Sequence, residues 1–166
     1  LRVQVRGRGD AYYQRALEPR PASLAAAPDF DPLATTIARA HAAGLQVHAW
    51  VNVNLVASAS ELPAAREHVI YRHPEWLMVP RGLAADLTGV ESRSPEYLGR
   101  LARYVRNQRN EVEGLYLSPI SRDAADYTVA VVRDIAERYA IDGVHFDYIR
   151  YPNDEFYTMG RAPGGK

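Results

Sequence analysis

The chain reads as an α/β protein with parallel strands, specifically as part of a β/α (TIM-type) barrel. Three observations predict this. Period-two apolar runs at residues 1–6, 45–52 and 143–150 are separated by helical stripes. The order strand, helix, strand, helix, strand is that of right-handed βαβ units. Each strand carries one apolar and one polar face, with Arg6, His48, Asn52 and Asp147 gathering toward the C-terminal ends. In a barrel the apolar face meets the helices and the other face points inward, up to a site. A doubly wound nucleotide-binding sheet is the competitor. Its fingerprint is weak here, because Gly7-Arg8-Gly9-Asp10 lacks the third glycine and runs into a loop rather than a helix.

A chain of 166 residues holds about three strands and their helices, against the ~250 residues usual for a whole barrel. Residues 1–152 are therefore expected to form part of a barrel domain, and 153–166 a loop or loose tail. The chain opens directly on a strand, without an initiator methionine, as a piece cut from something larger would.

Composition narrows the function. With 47% hydrophobic and 24% charged residues, the chain has the make-up of a globular protein rather than a disordered one. Twenty basic residues balance twenty acidic ones, so no net field argues for nucleic acid or a membrane surface. No apolar run approaches the ~18 residues of a membrane helix, so no membrane insertion is expected. Cysteine is absent, which excludes disulfides and thiol chemistry.

The elements follow in order. Val3 and Val5 share one face of the first strand, Gln4 and Arg6 the other. The Gly7–Asp10 turn ends it. Asp31-Pro32 reads as N-cap and N1 proline of a helix with Leu33, Ile37 and Ala40 as its stripe and Gly44 as its C′ stop. In the second strand Val47, Ala49 and Val51 face one way, and His48, Trp50 and Asn52 the other. Residues 53–112 make a long excursion, expected to hold a short helix near 61–69 and a second starting at Ser94-Pro95. Connections of that length usually carry function. A short extended piece spans 113–119, and Ser121 caps a helix over about 122–139 with Tyr127, Thr128, Val131, Val132, Ile135 and Tyr139 as its stripe.

The last strand, in Asp142-Gly143-Val144-His145-Phe146-Asp147-Tyr148-Ile149-Arg150-Tyr151-Pro152, points His145 and Asp147 to one side. An ordinary buried strand would keep charge off both faces, so this one is expected to end in a functional site.

Several blocks match a known family in order. Val3-Gln4-Val5-Arg6-Gly7-Arg8-Gly9-Asp10-Ala11-Tyr12-Tyr13, Asp31-Pro32-Leu33, His48-Ala49-Trp50-Val51-Asn52, His73-Pro74-Glu75-Trp76, Tyr116-Leu117-Ser118-Pro119 and Asp142 to Tyr148 together resemble the bacterial glycosyl-hydrolase-like family ten, which is distinct from the family-ten xylanases. The resemblance implies a β/α barrel that hydrolyses glycosidic bonds in a polysaccharide or oligosaccharide, a bacterial cell-envelope glycan among them, at a secreted or envelope location and with no cofactor. The chain departs from the family at Tyr148, where many members carry a second acidic residue, at Asn52-Val53-Asn54-Leu55 and at Ser118-Pro119. A scheme needing adjacent carboxylates does not survive the first of these.

Glycoside hydrolysis needs a carboxylate at the scissile bond, and barrels collect catalytic groups at the C-terminal ends of strands. Asp147 is the leading catalytic candidate, against a buried aspartate paired to Arg150 or Arg6. Asp10 is the best partner in view; Glu75 and Asp154 are outsiders, and the partner could equally lie on a strand outside this chain. Arg6 and Arg8 are candidates to bind sugar hydroxyls or to hold Asp147 ionised, with a structural ion pair as the alternative. His48 and Asn52 are hydroxyl binders, and Trp50 or Trp76 a stacking surface or simply core. His145 reads as an interior histidine first and a substrate contact second. Tyr148, Arg150 and Tyr151 line the rim, while Asp142, at the strand's start, is turn chemistry. A metal hydrolase built on His48, His145 and Asp147 is a lesser alternative, since no His-x-His pair appears. A non-catalytic glycan-binding barrel is the other.

Overall fold

The structure is a computed structural model and describes residues 1–152. In chain order its regular elements are β1 (Arg2–Arg6), α1 (Pro32–Ala42), β2 (His48–Asn52), β3 (Leu55–Ser58), α2 (Val69–Arg72), α3 (Pro95–Asn107), β4 (Gly114–Tyr116), α4 (Arg122–Arg138) and β5 (Gly143–Asp147), with three short 3-10 turns between them. The fold is mixed α/β. The tail from residue 153, and Asp154 with it, lies outside the described residues.

β1, β2 and β5 form a parallel sheet in the order β1-β2-β5. The register places Val3, Ala49 and Val144 in one row and Gln4, Trp50 and His145 in the next. Val47, Ala49 and Val51 are buried together with Leu33, Ile37 and Ala40 of α1 and Val131 and Ile135 of α4. Both helices thus cover one face, as the period-two pattern requires. Each fully buried valine or leucine there is worth roughly 1.5–3 kcal/mol. The opposite face carries Gln4, His48, Trp50, His145 and Asp147.

The helix starts follow local chemistry. Asp31 Oδ1 accepts from Ala34 N at 2.9 Å, ahead of Pro32. Ser94 and Ser121 do the same for Tyr97 N (3.1 Å) and Ala124 N (3.3 Å). These satisfy amides that a helix start leaves unpaired. Gly44 ends α1 at φ +70°, where glycine has no steric penalty.

The excursion after β2 builds a second core. β3 and β4 pair antiparallel, and Leu55, Val56, Ile70, Leu77, Leu101 and Leu115 are all but inaccessible within it. A Cβ at position 114 would come within 1.7 Å of the Ala57 carbonyl oxygen, so only glycine permits this pairing.

Four expectations shift. No helix spans 61–69; a single turn begins at Val69, where the His68 ring accepts from Ile70 N, and Pro63 sits in irregular chain before it. β2 starts at His48 rather than 45, because the Val47 amide is taken by the Asp142 carboxylate at 2.7 Å. β5 stops at Asp147 rather than 150, because Tyr148 turns to φ +50°. β3 is a strand in the excursion for which the sequence pattern gives no signal.

Candidate functional site

The C-terminal edge of the parallel sheet brings Asn52 and Asp147 side by side as register partners. Asn52 is buried, and its amide nitrogen donates to the Gly7 carbonyl at 2.7 Å. That bond fixes the amide plane and leaves Asn52 Oδ1 buried without a partner among the described residues. Asp147 is half-buried, and its Oδ1 accepts from the Tyr148 amide at 2.8 Å. Its second oxygen makes no hydrogen bond among the described residues. The ladder continues past the strand end: Asp147 O accepts from Val53 N at 2.8 Å and Tyr148 O from Asn54 N at 3.2 Å.

Tyr148 packs half-buried on the second core, its ring centroid 6.2 Å from that of Tyr116. The Arg150 guanidinium lies 5.9 Å from the Tyr148 ring and 3.6 Å from Glu113, which also accepts from the Tyr116 hydroxyl. Arg150 therefore pairs with Glu113 and not with Asp147. One row below, Trp50 and His145 meet edge to face at 6.0 Å, and Trp50 Nε1 is buried without a partner among the described residues.

Arg6 is placed differently from expectation. The β1–β2 register slips between Gln4 and Arg6, so that Arg6 pairs with Val51 instead of Asn52. Such a bulge turns the following side chain to the other face. Arg6 consequently lies on the helix side, fully buried, with Nε and Nη2 each 2.7 Å from the Glu18 carboxylate. Its Nη1 donates to the carbonyls of Asn52 and Val53, and the Tyr127 hydroxyl donates to Glu18 at 3.2 Å. Burial lowers the Arg6 pKa, but the Glu18 charge and hydrogen bonds outweigh it and the net shift is upward. The expected contact of Arg6 with sugar or with Asp147 is thus replaced by an internal tie.

His48 is also misplaced by the sequence pattern. It is the first residue of β2, paired with Arg2 and Gly143, about 13 Å of strand below Asn52. It cannot share a site with the C-terminal edge.

Asp10 closes the turn after β1. Its Oδ1 accepts from Gly7 N (3.0 Å) and Arg8 N (2.8 Å), and Gly9 takes φ +69°. The His68 ring backs this turn, its Nε2 bonded to the Arg8 carbonyl at 2.7 Å. Arg8, Asp10, Ser23, Ser58, Glu61 and His68 line an open groove of about 730 Å³. Arg8 and Asp10 thus share one groove. Asn52, Asp147, Tyr148 and Arg150 gather at the sheet edge, with Trp50 and His145 beneath.

Sequence reasoning missed Glu18, His68 and Glu113. Glu18 sits in an irregular, proline-flanked loop with no periodic signal. His68 precedes an apolar pair in the manner of an N-cap, a weak signal that was available. Among the described residues no three His, Asp or Glu side chains gather as metal ligands would, and no helix is long and apolar enough to cross a membrane. Asp142 plays a structural part, through long-range ties rather than the local turn bonds expected: it accepts from Val47 N at 2.7 Å and from His41 at 2.8 Å, and these bonds hold its carboxyl below the usual range.

Comparison with known proteins bears on the same residues. Over 156 residues the chain is 28% identical to "Glycosyl hydrolase YngK" of Bacillus subtilis (strain 168), covering 90% of this chain and 24% of that protein. It is 28% identical over 142 residues to "Glycosyl hydrolase DigH" of Escherichia coli (strain K12), covering 84% and 25%. The chain spans about a quarter of the length of the curated relatives it matches. The family model described as "Glycosyl hydrolase-like 10" matches residues 1–161, almost all of the sequence, and the chain belongs to that family.

Proposed function

We propose that the protein is a glycoside hydrolase acting on a polysaccharide, a bacterial cell-envelope glycan among the candidates, with Asp147 as one catalytic carboxylate. The observation that carries this is the position of Asp147. It ends β5 on the polar face of the sheet, level with Asn52, with one oxygen held by the Tyr148 amide and the other unbonded among the described residues. A held carboxylate with an open oxygen is what a glycosidase needs of its nucleophile or base. Family membership and the relatives' names support the same activity.

The parallel strand order, with both helices on one face and a polar face opposite, supports reading the sheet as part of a β/α barrel, whose sites lie at the C-terminal edge. Asp10, beyond β1, is the second carboxylate in this scheme. Arg8, Asn52, Trp50, His145 and Arg150 supply sugar contacts in this scheme; Asn52 Oδ1 and Trp50 Nε1, buried and without a partner among the described residues, are an acceptor and a donor that a hydroxyl group reaches only after a local shift of the side chains above them.

The test is Asp147→Asn in the full-length protein, assayed by release of reducing ends from glycans. Turnover should fall by about 10²–10⁴-fold; undiminished turnover would sink the catalytic role. A non-catalytic glycan-binding protein is the second reading. One observation favours it: Asp147 is followed by Tyr148, where many members of the family carry a second acidic residue. Binding without cleavage across several glycans would select it.

A further inference from the structure

Tyr148 is an aromatic L-residue in the left-handed region, φ +50°, directly after Asp147. Such residues persist there only when their surroundings hold them. Two sets of contacts do so. The first is main chain: Tyr148 N donates to Asp147 Oδ1 at 2.8 Å, and Tyr148 O accepts from Asn54 N at 3.2 Å. The second is the ring, seated on the second core beside Tyr116, with the Arg150 guanidinium 5.9 Å from its centroid. Arg150 is 3.6 Å from Glu113, and Glu113 accepts from the Tyr116 hydroxyl, so the contacts close into a loop around Tyr148.

We propose that Tyr148 is a positioning residue for Asp147: ring anchorage on the second core enforces a left-handed turn whose amide fixes the Asp147 carboxylate. The proposal rests on Asp147 being the catalytic carboxylate. It assigns the Tyr148 side chain a role at the rim other than touching sugar. It also gives the long excursion after β2 a task, because the anchor for the site's carboxylate is built from β3 and β4 rather than from the parallel sheet.

Glycine and alanine at this position separate the possibilities. Glycine adopts the left-handed region without steric cost, whereas alanine lacks both that freedom and the anchoring ring. In the full-length protein Tyr148→Ala should lower kcat about 10²-fold through misplacement of the carboxylate, while KM stays near the wild-type value. Tyr148→Gly should recover roughly a tenth of wild-type kcat, because the turn survives without its anchor. Tyr148→Phe, which keeps the ring, should lie above both. A merely structural role would lower thermal stability and leave kcat per folded molecule equal in the three variants.

Equal kcat in the glycine and alanine variants would overturn the proposal, as would a rise in KM with kcat intact, which would make the ring a substrate contact. A crystal structure of Tyr148→Ala reads the positioning without activity. Residue 148 should leave the left-handed region and lose its bond to Asp147 Oδ1; an unchanged turn overturns the proposal. If Asp147→Asn retained turnover, the catalytic reading would fail on its own, and the crystal structure would still report on the turn.

Discussion

Arg6 and Glu18 form a two-bond ion pair, 2.7 Å on each arm, with both side chains shielded from solvent. Together with the carbonyls of Asn52 and Val53 and the Tyr127 hydroxyl, the pair ties the end of β1, its following loop, the end of β2 and α4 into one knot. Removing one member of a buried pair leaves the other charge uncompensated, a loss of about 3–5 kcal/mol. Glu18→Leu and Arg6→Met should each cost that much in urea unfolding. The double variant Arg6→Met/Glu18→Leu should cost less than the sum of the singles, because neither stranded charge remains. Additive losses would show that the two residues do not act as a pair.

His68 should make the fold acid-sensitive. Burial pushes its pKa below the usual 6.5, against the opposing pull of its bond to the Arg8 carbonyl. The neutral ring suits its contacts: Nε2–H donates to Arg8 O, and Nδ1 accepts from Ile70 N at 3.3 Å. The unfolded chain takes up a proton at its ordinary pKa while the folded one does not. Stability therefore rises with pH up to about 6.5, is fully present above it, and is lost progressively below it. His68→Asn keeps a capping acceptor and should flatten that limb in unfolding measured as a function of pH. An unchanged acid slope would place the sensitivity elsewhere.

Gly9 and Gly44 make a controlled pair. Both take positive φ, +69° and +70°. A Cβ at Gly9 would meet the His68 ring at 2.8 Å, whereas one at Gly44 would meet nothing within 4 Å. Gly44→Ala should cost only the backbone term, about 1–2 kcal/mol. Gly9→Ala should cost more by roughly a further 1 kcal/mol and disturb the Asp10 turn. Equal losses in chemical denaturation would mean that His68 moves aside freely.

How much of this was legible follows from the range of each interaction. The caps at Asp31, Ser94 and Ser121 and the stripes of α1, α3 and α4 are local, and the sequence pattern located them closely. So are the alternating faces of β2, and with them the placement of Trp50, Asn52, His145 and Asp147 on one side. Arg6 escaped because a bulge between Gln4 and Arg6 breaks the parity that alternation assumes. His48 escaped because the strand's first three expected residues are not in the ladder, which moves His48 from the middle of β2 to its start. Glu18, Glu113 and the β3–β4 pairing depend on contacts between distant segments, which no window of sequence contains. Position alone places Tyr148 at the rim. Its left-handed backbone carries no sequence signal, since glycine or asparagine would be the expected occupant.

The free edge of β5 yields the last prediction. Among the described residues β5 pairs only with β2, so its other edge offers unpaired backbone groups. Between β5 and α4, Val129, Phe146 and Ile149 are each about half exposed or more and line an apolar groove of about 440 Å³ with Val53, Leu117 and Val132. Charged residues, proline or a covering element normally blunt such an edge, and contiguous apolar surface promotes association. The 166-residue chain expressed by itself should therefore self-associate, seen as a concentration-dependent shift in sedimentation velocity and as binding of a hydrophobic dye. The double substitution Phe146→Lys/Ile149→Glu should suppress both without changing the secondary-structure content, because neither side chain belongs to either core. A monomeric chain with a single cooperative thermal transition across the concentration series would show that the edge is covered in solution.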